Sequence, residues 1–199
     1  MTVGLDLLAV AGYFFGALLW FGYLRDPREA KLRPATWVMV GGWLAHSLAL
    51  IWQTWHQGFL PVGNIGGALI FYSWLLMAGF ILLLWRYPVK VLGVLVTPLA
   101  GLMVCGALIL PAPEAVPEIL RGFWLAAHIT TAMVGHATLA LAFLGGILYL
   151  IQEHQLKTKN FGFFYRRLPS LDNLDILNYY CINFGFWLLT GGILTGSLY

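Results

Sequence analysis

The sequence predicts an all-α membrane protein, a bundle of about six transmembrane helices with both termini on the periplasmic face. Of its 199 residues, 60% are hydrophobic and only 10% are charged, and the mean hydropathy is +0.81. A soluble domain carries roughly a quarter charged residues. Short segments rich in proline and charge separate the hydrophobic runs. Lipid is therefore expected to surround most of the chain.

Each hydrophobic run is long enough to be a transmembrane helix, because about 20 apolar residues cross a ~30 Å hydrocarbon core. The runs are too long for strands, and an open sheet edge cannot face lipid. We expect spans over residues 3–24, 35–55, 65–85, 89–110, 122–152 and 175–198. They leave no room for a soluble domain, so residues 1–199 are expected to form a single transmembrane domain.

Individual residues support these elements. The first run has no basic leader, so we expect it to remain as a span rather than to be a removable signal peptide. Gly12 and Gly16 have the spacing of closely packed membrane helices. Pro98 falls inside the fourth span, where a kink is expected. Tryptophan rings prefer the membrane interface, and five lie near span ends: Trp20, Trp37, Trp55, Trp85 and Trp124.

The orientation follows from the basic residues. Arg121 is the one basic residue that falls in an even-numbered loop. The first, third and fifth loops hold the others: Arg25, Arg28, Lys31, Arg33, Arg86, Lys90, Lys157, Lys159, Arg166 and Arg167. The positive-inside rule assigns those loops to the cytoplasm, which puts Tyr199 on the periplasmic side of a bacterial inner membrane.

The basic residues are divided among loops rather than gathered on one patch, so the net charge of +3 does not indicate nucleic-acid binding. The longest polar connection, residues 157–174, mixes aromatic and basic side chains. That composition suits the headgroup layer of an anionic leaflet, and we interpret the segment as a membrane-surface linker.

Histidines are the candidate functional residues of the spans. No Asp, Glu, Lys or Arg is expected near mid-membrane, which disfavours an ion-coupled transporter. His46 lies in the second span, and His128 and His136 lie in the fifth. An imidazole in lipid is costly unless it forms a hydrogen bond or ligates a metal.

Depth singles out two of these histidines. Counted at ~1.5 Å per residue, His46 and His128 differ by about 5 Å in depth. Two imidazoles at similar depth on adjacent helices could hold haem iron axially. The alternative for each of the three is a hydrogen bond to a neighbouring helix.

Three stretches resemble the integral-membrane cytochrome c assembly family, which includes CcsA, ResC and HemX-like proteins. They are WLAHSLAL at 43–50, FWLAAHITTAMVGHATLALAFLGGILYL at 123–150, and RRLPSLDNLDILNYYCINFGFWLLTGGILTGSLY at 166–199. The resemblance implies a non-covalently bound b-type haem, with His128 at the position of an outer-face haem ligand. His46 matches a transmembrane histidine of the HemX-like branch, and His136 is a further cofactor-binding candidate.

The resemblance also implies the function. Such a protein holds haem and presents it at the periplasmic face, as a haem chaperone or part of a haem-attachment system rather than as an enzyme. Its implied partners are membrane lipid, an apocytochrome c and a second cytochrome c assembly membrane subunit. The alternatives are a HemX-like regulator of haem synthesis without a catalytic role, and a small b-type electron-transfer subunit.

One part of the family pattern is not found in these 199 residues. The tryptophan-rich motif W-G-x-x-W-x-W-D would begin just after Tyr199, followed by further helices and a second outer-face histidine. Relative to the family the chain looks truncated or split, or it is a member without that region. We therefore expect another polypeptide to complete the haem-attachment site.

Overall fold

The structure is a computed structural model and describes residues 2–26, 28–111, 122–159, 161–163 and 165–197. These residues form six α-helices and no strand. The helices are α1 (Thr2–Arg25), α2 (Glu29–Gln57), α3 (Ile65–Arg86), α4 (Gly93–Ile109), α5 (Phe123–Lys157) and α6 (Leu171–Ser197), and a 3-10 turn at Lys90–Leu92 leads into α4. The predicted all-α class is confirmed. Arg121 and Tyr199, on which part of the orientation argument rests, lie outside the described residues.

Helices α1 to α5 are each long and apolar enough to cross a membrane, so the chain is a multi-pass membrane protein. Helix α6 has a more polar first turn, with Asp172 and then Asp175. It nevertheless runs antiparallel along α5: Gly145 meets Asn178, Gly135 meets Gly185, and Ala132 meets Gly192. Because α6 follows α5 over this length, it crosses the same depth.

The helices pack in two close pairs joined by α3 and α4. Helix α1 pairs with α2 and α5 pairs with α6, while α4 packs on α1 and α3, and α3 packs on α5. Trp20 of α1 and Phe80 of α3 meet with ring centroids 6.2 Å apart. Gly93 of α4 makes room for them, because a Cβ there would lie 2.8 Å from Trp20 and 2.9 Å from Phe80.

The position of one tryptophan differs from the prediction. Trp37, Trp55, Trp85 and Trp124 have exposed rings, but Trp20 is completely buried. Its interfacial placement was predicted from its distance to the end of the span alone. The ring turns inward because the helix presents it to α3 and α4, which hydropathy cannot reveal.

The ends of two helices also differ from the prediction. Helix α2 begins at Glu29 and so contains Pro34, which had been expected in the loop. Pro34 is the sixth residue of α2, past the first four residues whose N–H groups lack intrahelical partners, so it leaves the Ala30 carbonyl oxygen without its usual donor within the helix. Helix α5 continues to Lys157, past the expected end at Gln152, so its last turns extend beyond the apolar stretch.

Close packing of α1 on α2 depends on paired glycines, as the Gly12-xxx-Gly16 spacing predicted. A Cβ on Gly12 would lie 2.7 Å from the Gly42 Cα, and one on Gly42 would lie 3.1 Å from the Gly12 Cα. Both neighbours are backbone atoms, which cannot rotate away. The two helix backbones are therefore in direct contact.

Replacing Gly42 by valine should force α1 and α2 apart and lower stability by about 1–3 kcal/mol, the usual cost of overpacking. Gly41→Val is the matched control, because no atom lies within 4 Å of a Cβ at Gly41. Thermal unfolding of the two variants in detergent measures the difference. Equal melting temperatures would show that the α1–α2 contact is not as tight as described.

Candidate functional site

His128 lies at the outer end of the α5–α6 pair and is half-buried. Its Nδ1 lies 2.7 Å from the Gly192 carbonyl oxygen and 3.3 Å from Thr195 Oγ1, both on α6. A carbonyl only accepts hydrogen bonds, so Nδ1 carries the proton and Nε2 keeps its lone pair. Metal-ligating histidines typically donate their other ring N–H to a carbonyl or carboxylate in this way.

A second cross-helix hydrogen bond lies one turn away from His128. The Trp124 indole Nε1–H donates to the Thr195 carbonyl oxygen at 3.1 Å. Gly196 gives the imidazole its space, since a Cβ there would lie 2.6 Å from His128 Cε1. We refer to Trp124, His128, Gly192, Thr195 and Gly196 as the His128 site.

The depth of the His128 site follows from the neighbouring helix α3. A Cβ on Gly79 of α3 would touch the side chain of Leu141 of α5. Both helices run inward from their N-terminal ends. His128 lies thirteen residues before Leu141, and Gly66 lies thirteen residues before Gly79. His128 is therefore about level with Gly66, the second residue of α3. The His128 site is therefore at the end of the bundle rather than in its middle.

His46 is completely buried between α1 and α2. Its Nδ1 is hydrogen-bonded to the Tyr13 hydroxyl at 3.1 Å, and the two rings meet edge to face at 5.9 Å. Its Nε2 is buried without a partner among the described residues. Nε2 offers a lone pair to a ligand only in the tautomer in which Nδ1–H donates to the Tyr13 oxygen. The ring is nevertheless covered on all sides, and the Gly12–Gly42 contact one turn away leaves no gap between the helices. A porphyrin could not reach Nε2 without a rearrangement of the residues packed around it.

The imidazole of His136 is exposed on the surface of α5. Its Nδ1 donates to the Ala132 carbonyl oxygen within the same helix, at 2.8 Å. Nε2 therefore keeps a lone pair here too. No cross-helix hydrogen bond fixes the orientation of this ring among the described residues.

The structure does not bring His46 and His128 together. The hydrogen bonds of His46 go to α1 and those of His128 go to α6. Ser47, next to His46, accepts from Trp74 Nε1 at 2.8 Å. Trp74 shares a groove with Val134 of α5, two residues from His136. These contacts place His46 at the level of His136. His136 lies further along α5 than His128, so both His46 and His136 are about 12 Å deeper than His128 at ~1.5 Å per residue. The similar depth expected from the sequence is not observed, because α5 extends outward beyond the first residue of α3.

An apolar groove runs beside Trp74 and Val134, close to His136. It has a volume of about 400 Å³ between α3, α5 and α6, and its walls include Gly79, Leu141, Cys181 and Phe184. None of the histidines in the described part of the chain lines it. An iron ion held there would have no imidazole ligand from the groove itself.

Two polar pairs across α1 and α2 were missed by the sequence reasoning. Besides Tyr13–His46, the Gln53 side-chain N–H donates to the Asp6 carboxylate at 3.4 Å. Asp6 and Tyr13 are seven residues apart, as are His46 and Gln53, so both pairs fall on the same faces of the two helices. Heptad spacing of polar residues could have predicted that these faces meet.

Tyr13→Phe should lower stability by about 1 kcal/mol, since it removes the hydrogen-bond partner of a buried imidazole. Tyr23→Phe is a suitable control, because the Tyr23 hydroxyl has no hydrogen bond to the described residues and its side chain is only half-buried. Denaturant or thermal titration of the detergent-solubilised variants measures the two values. If the two variants were equally stable, the Tyr13–His46 bond would contribute nothing.

The sequence model of the family described as Cytochrome C assembly protein matches residues 62–199 of the chain. The chain belongs to the cytochrome c assembly family. The match includes α3 to α6 and hence the whole His128 site. The resemblance found in the sequence is thereby confirmed.

Relatives of this family member bear two names. Protein HemX of Brevibacillus brevis is 27% identical over 195 residues, which cover 96% of this chain and 71% of the relative. The cytochrome c biogenesis protein CcsA of Guillardia theta is 31% identical over 163 residues, 72% of this chain and 54% of the relative. CcsA of Chlamydomonas reinhardtii is 33% identical over 162 residues, 75% of this chain and 44% of the relative. The matched regions thus span about half the length of these CcsA relatives. No solved structure matches the chain significantly.

Proposed function

We propose that this chain is a haem-holding membrane factor for the assembly of c-type cytochromes, in which His128 Nε2 would bind the haem iron. The supporting observation is the 2.7 Å hydrogen bond from His128 Nδ1–H to the Gly192 carbonyl. It selects the tautomer whose Nε2 can bind iron, and it fixes the ring against α6.

The position of the His128 site supports this role. His128 lies level with the start of α3, at the end of the bundle that the positive-inside rule assigns to the periplasm. Haem held there would be accessible to an acceptor outside the bacterial inner membrane. The ring is half-buried, so protein covers one part of it and leaves the other part reachable.

The chemistry of the donor set fits a b-type haem. A neutral imidazole is a common axial ligand of haem iron, and Trp124, 43% exposed beside His128, offers an apolar ring to a porphyrin. When bound, haem would supply the group that becomes attached to an apocytochrome c. The chain's own residues would bind the iron, orient the imidazole and contribute one wall. A second assembly membrane subunit would complete the site.

His46 and His136 fit this role less well. The His46 Nε2 has no opening to the surface, and the exposed imidazole of His136 has no cross-helix bond to fix it. We therefore assign the primary ligand to His128. His46 would become a ligand only in a conformation that exposes its buried imidazole.

The test is maturation of a c-type cytochrome in cells that lack this gene. Covalent haem on the cytochrome, measured by haem staining of gels, should fall in the deletion strain. The wild-type gene should restore it, and the His128→Ala gene should not. Normal haem attachment in the deletion strain would overturn the assembly role.

A second candidate function is regulation of haem synthesis by a HemX-like membrane protein. This candidate is kept because a HemX protein matches 96% of this chain, although a CcsA protein also matches it over its whole length. If the chain has this function, deleting its gene should change the amount of a haem-biosynthetic enzyme, while haem attachment to the cytochrome stays normal. Immunoblots of that enzyme alongside the haem stain separate the two functions.

A further inference from the structure

The loop between α5 and α6 returns beneath the bundle to the end of α1. Arg167 Nε donates to the Leu24 carbonyl oxygen at 3.0 Å, and Arg167 Nη2 donates to the Arg25 carbonyl oxygen at 3.2 Å. These carbonyls belong to the last turn of α1, where intrahelical partners are missing and the helix dipole is negative. The Arg167 guanidinium also lies 5.3 Å from the ring centroid of Phe163. Arg167 is therefore fixed in place.

A concave site opens beside this arginine. It has a volume of about 320 Å³, and its lining residues are Phe161, Gly162, Phe163, Arg166 and Arg167. No acidic side chain lines it among the residues that the structure describes. We refer to it as the loop site. It combines two guanidinium groups with two aromatic rings.

The two arginines of the loop site differ in their partners. Arg167 is held by α1, whereas the Arg166 side chain is exposed and has no acceptor among the described residues. One carboxylate, that of Asp26, is close enough for the Arg167 charge to act on it. The main partners of Asp26, however, are Lys31 and Arg28, each at 3.1 Å. A hydrogen bond from Lys31, aided by these positive charges, holds the pKa of the Asp26 carboxyl below its ordinary value. The loop site therefore keeps a positive charge.

The rings of Phe161 and Phe163 are half-exposed, at 50% and 47%. Aromatic rings are enriched at the level of lipid headgroups, and guanidinium groups bind phosphate through paired hydrogen bonds. A ligand of the loop site should thus present a phosphate next to an apolar portion. A phospholipid has both.

We propose that the loop site binds the phosphate of an anionic phospholipid, with Arg166 as the contacting residue and Arg167 as the positioning residue. The acyl chains would lie along Phe161 and Phe163. An anionic headgroup is favoured because the site has no carboxylate that could pair with the ammonium of a zwitterionic one. Binding would tie the α5–α6 loop, and through Arg167 the end of α1, to the membrane surface. This role is independent of haem.

The test compares lipid retention by the full-length protein. Wild type is purified from vesicles of equal parts phosphatidylglycerol and phosphatidylcholine, and the bound lipids are quantified by mass spectrometry. We expect enrichment of phosphatidylglycerol, and about a fivefold weaker enrichment in Arg166→Gln, as one basic residue at an anionic surface would give. Lys159→Gln is the matched control, because Lys159 is in the same loop but outside the site.

Three results would overturn the proposal. The first is no enrichment of phosphatidylglycerol in wild type. The second is equal retention of phosphatidylglycerol by wild type and Arg166→Gln. An equal loss in Lys159→Gln counts with it, because the effect would then come from the general positive charge of the loop. The third is stabilisation of delipidated protein by inorganic phosphate alone to the same extent as by phosphatidylglycerol, which would assign the site to free phosphate.

Discussion

Replacing His128 by alanine is expected to remove most of the haem that the protein can bind. The substitution deletes the proposed iron ligand itself. Loss of a residue that only supports a metal ligand already lowers metal affinity about 10- to 100-fold, so we expect a decrease of about 100-fold or more. Titration of haem into the purified variant, followed by Soret absorbance, measures the affinity. Added imidazole should partly restore binding by occupying the vacated position.

His128→Ala also removes a hydrogen bond between α5 and α6, and two controls separate that effect from ligand loss. Trp124→Phe removes the neighbouring cross-helix bond to Thr195 but leaves the imidazole intact. His56→Ala removes another histidine, which is exposed and whose Nδ1 is hydrogen-bonded within its own helix. Both variants should keep haem affinity within a few-fold of wild type. If Trp124→Phe lost as much haem as His128→Ala, helix pairing rather than ligation would be responsible.

Gly196→Ala is expected to weaken haem binding about tenfold while the bundle remains folded. The new methyl group would lie 2.6 Å from His128 Cε1, so the imidazole must rotate and its hydrogen bond to the Gly192 carbonyl is lost. Perturbing the partner of a metal-ligating histidine typically lowers affinity 10- to 100-fold. The same haem titration measures the effect, and circular dichroism monitors the helices.

Gly191→Ala is the matched control for Gly196→Ala. It lies on the same helix, and the nearest atom to its Cβ is a Thr131 methyl at an ordinary 3.9 Å. Haem affinity should be unchanged in this variant. Equal affinities of Gly196→Ala and wild type would show that the orientation of His128 is unimportant for haem binding.

The architecture could be predicted from the sequence because lipid imposes a simple rule. Each span needs about 20 apolar residues, and every backbone polar group must be satisfied within the segment. The runs that end near Trp85 and Leu110 were thus recognised almost to the residue. Helix ends at Glu29 and Lys157 were missed because they extend into polar segments, where hydropathy gives no signal.

The residues of the site could be predicted, but their arrangement could not. His46, His128 and His136 stand out because imidazoles are costly in lipid. Which helices pair depends on the shapes of the packed faces, so the separation of His46 from His128 could not be read from spacing. Gly192 and Gly196, four residues apart, have the same small-residue spacing as Gly12 and Gly16. That pattern could have indicated that His128 faces α6.

The most direct test of the haem-holding role is a titration of haem into the purified wild-type chain in detergent. The account predicts saturable binding of about one haem per chain. Electron paramagnetic resonance should detect coupling of the ferric iron to an imidazole nitrogen, and this coupling should be absent from His128→Ala. A protein that stays colourless with excess haem, or a bound haem whose coupling to an imidazole nitrogen survives in His128→Ala, would contradict it.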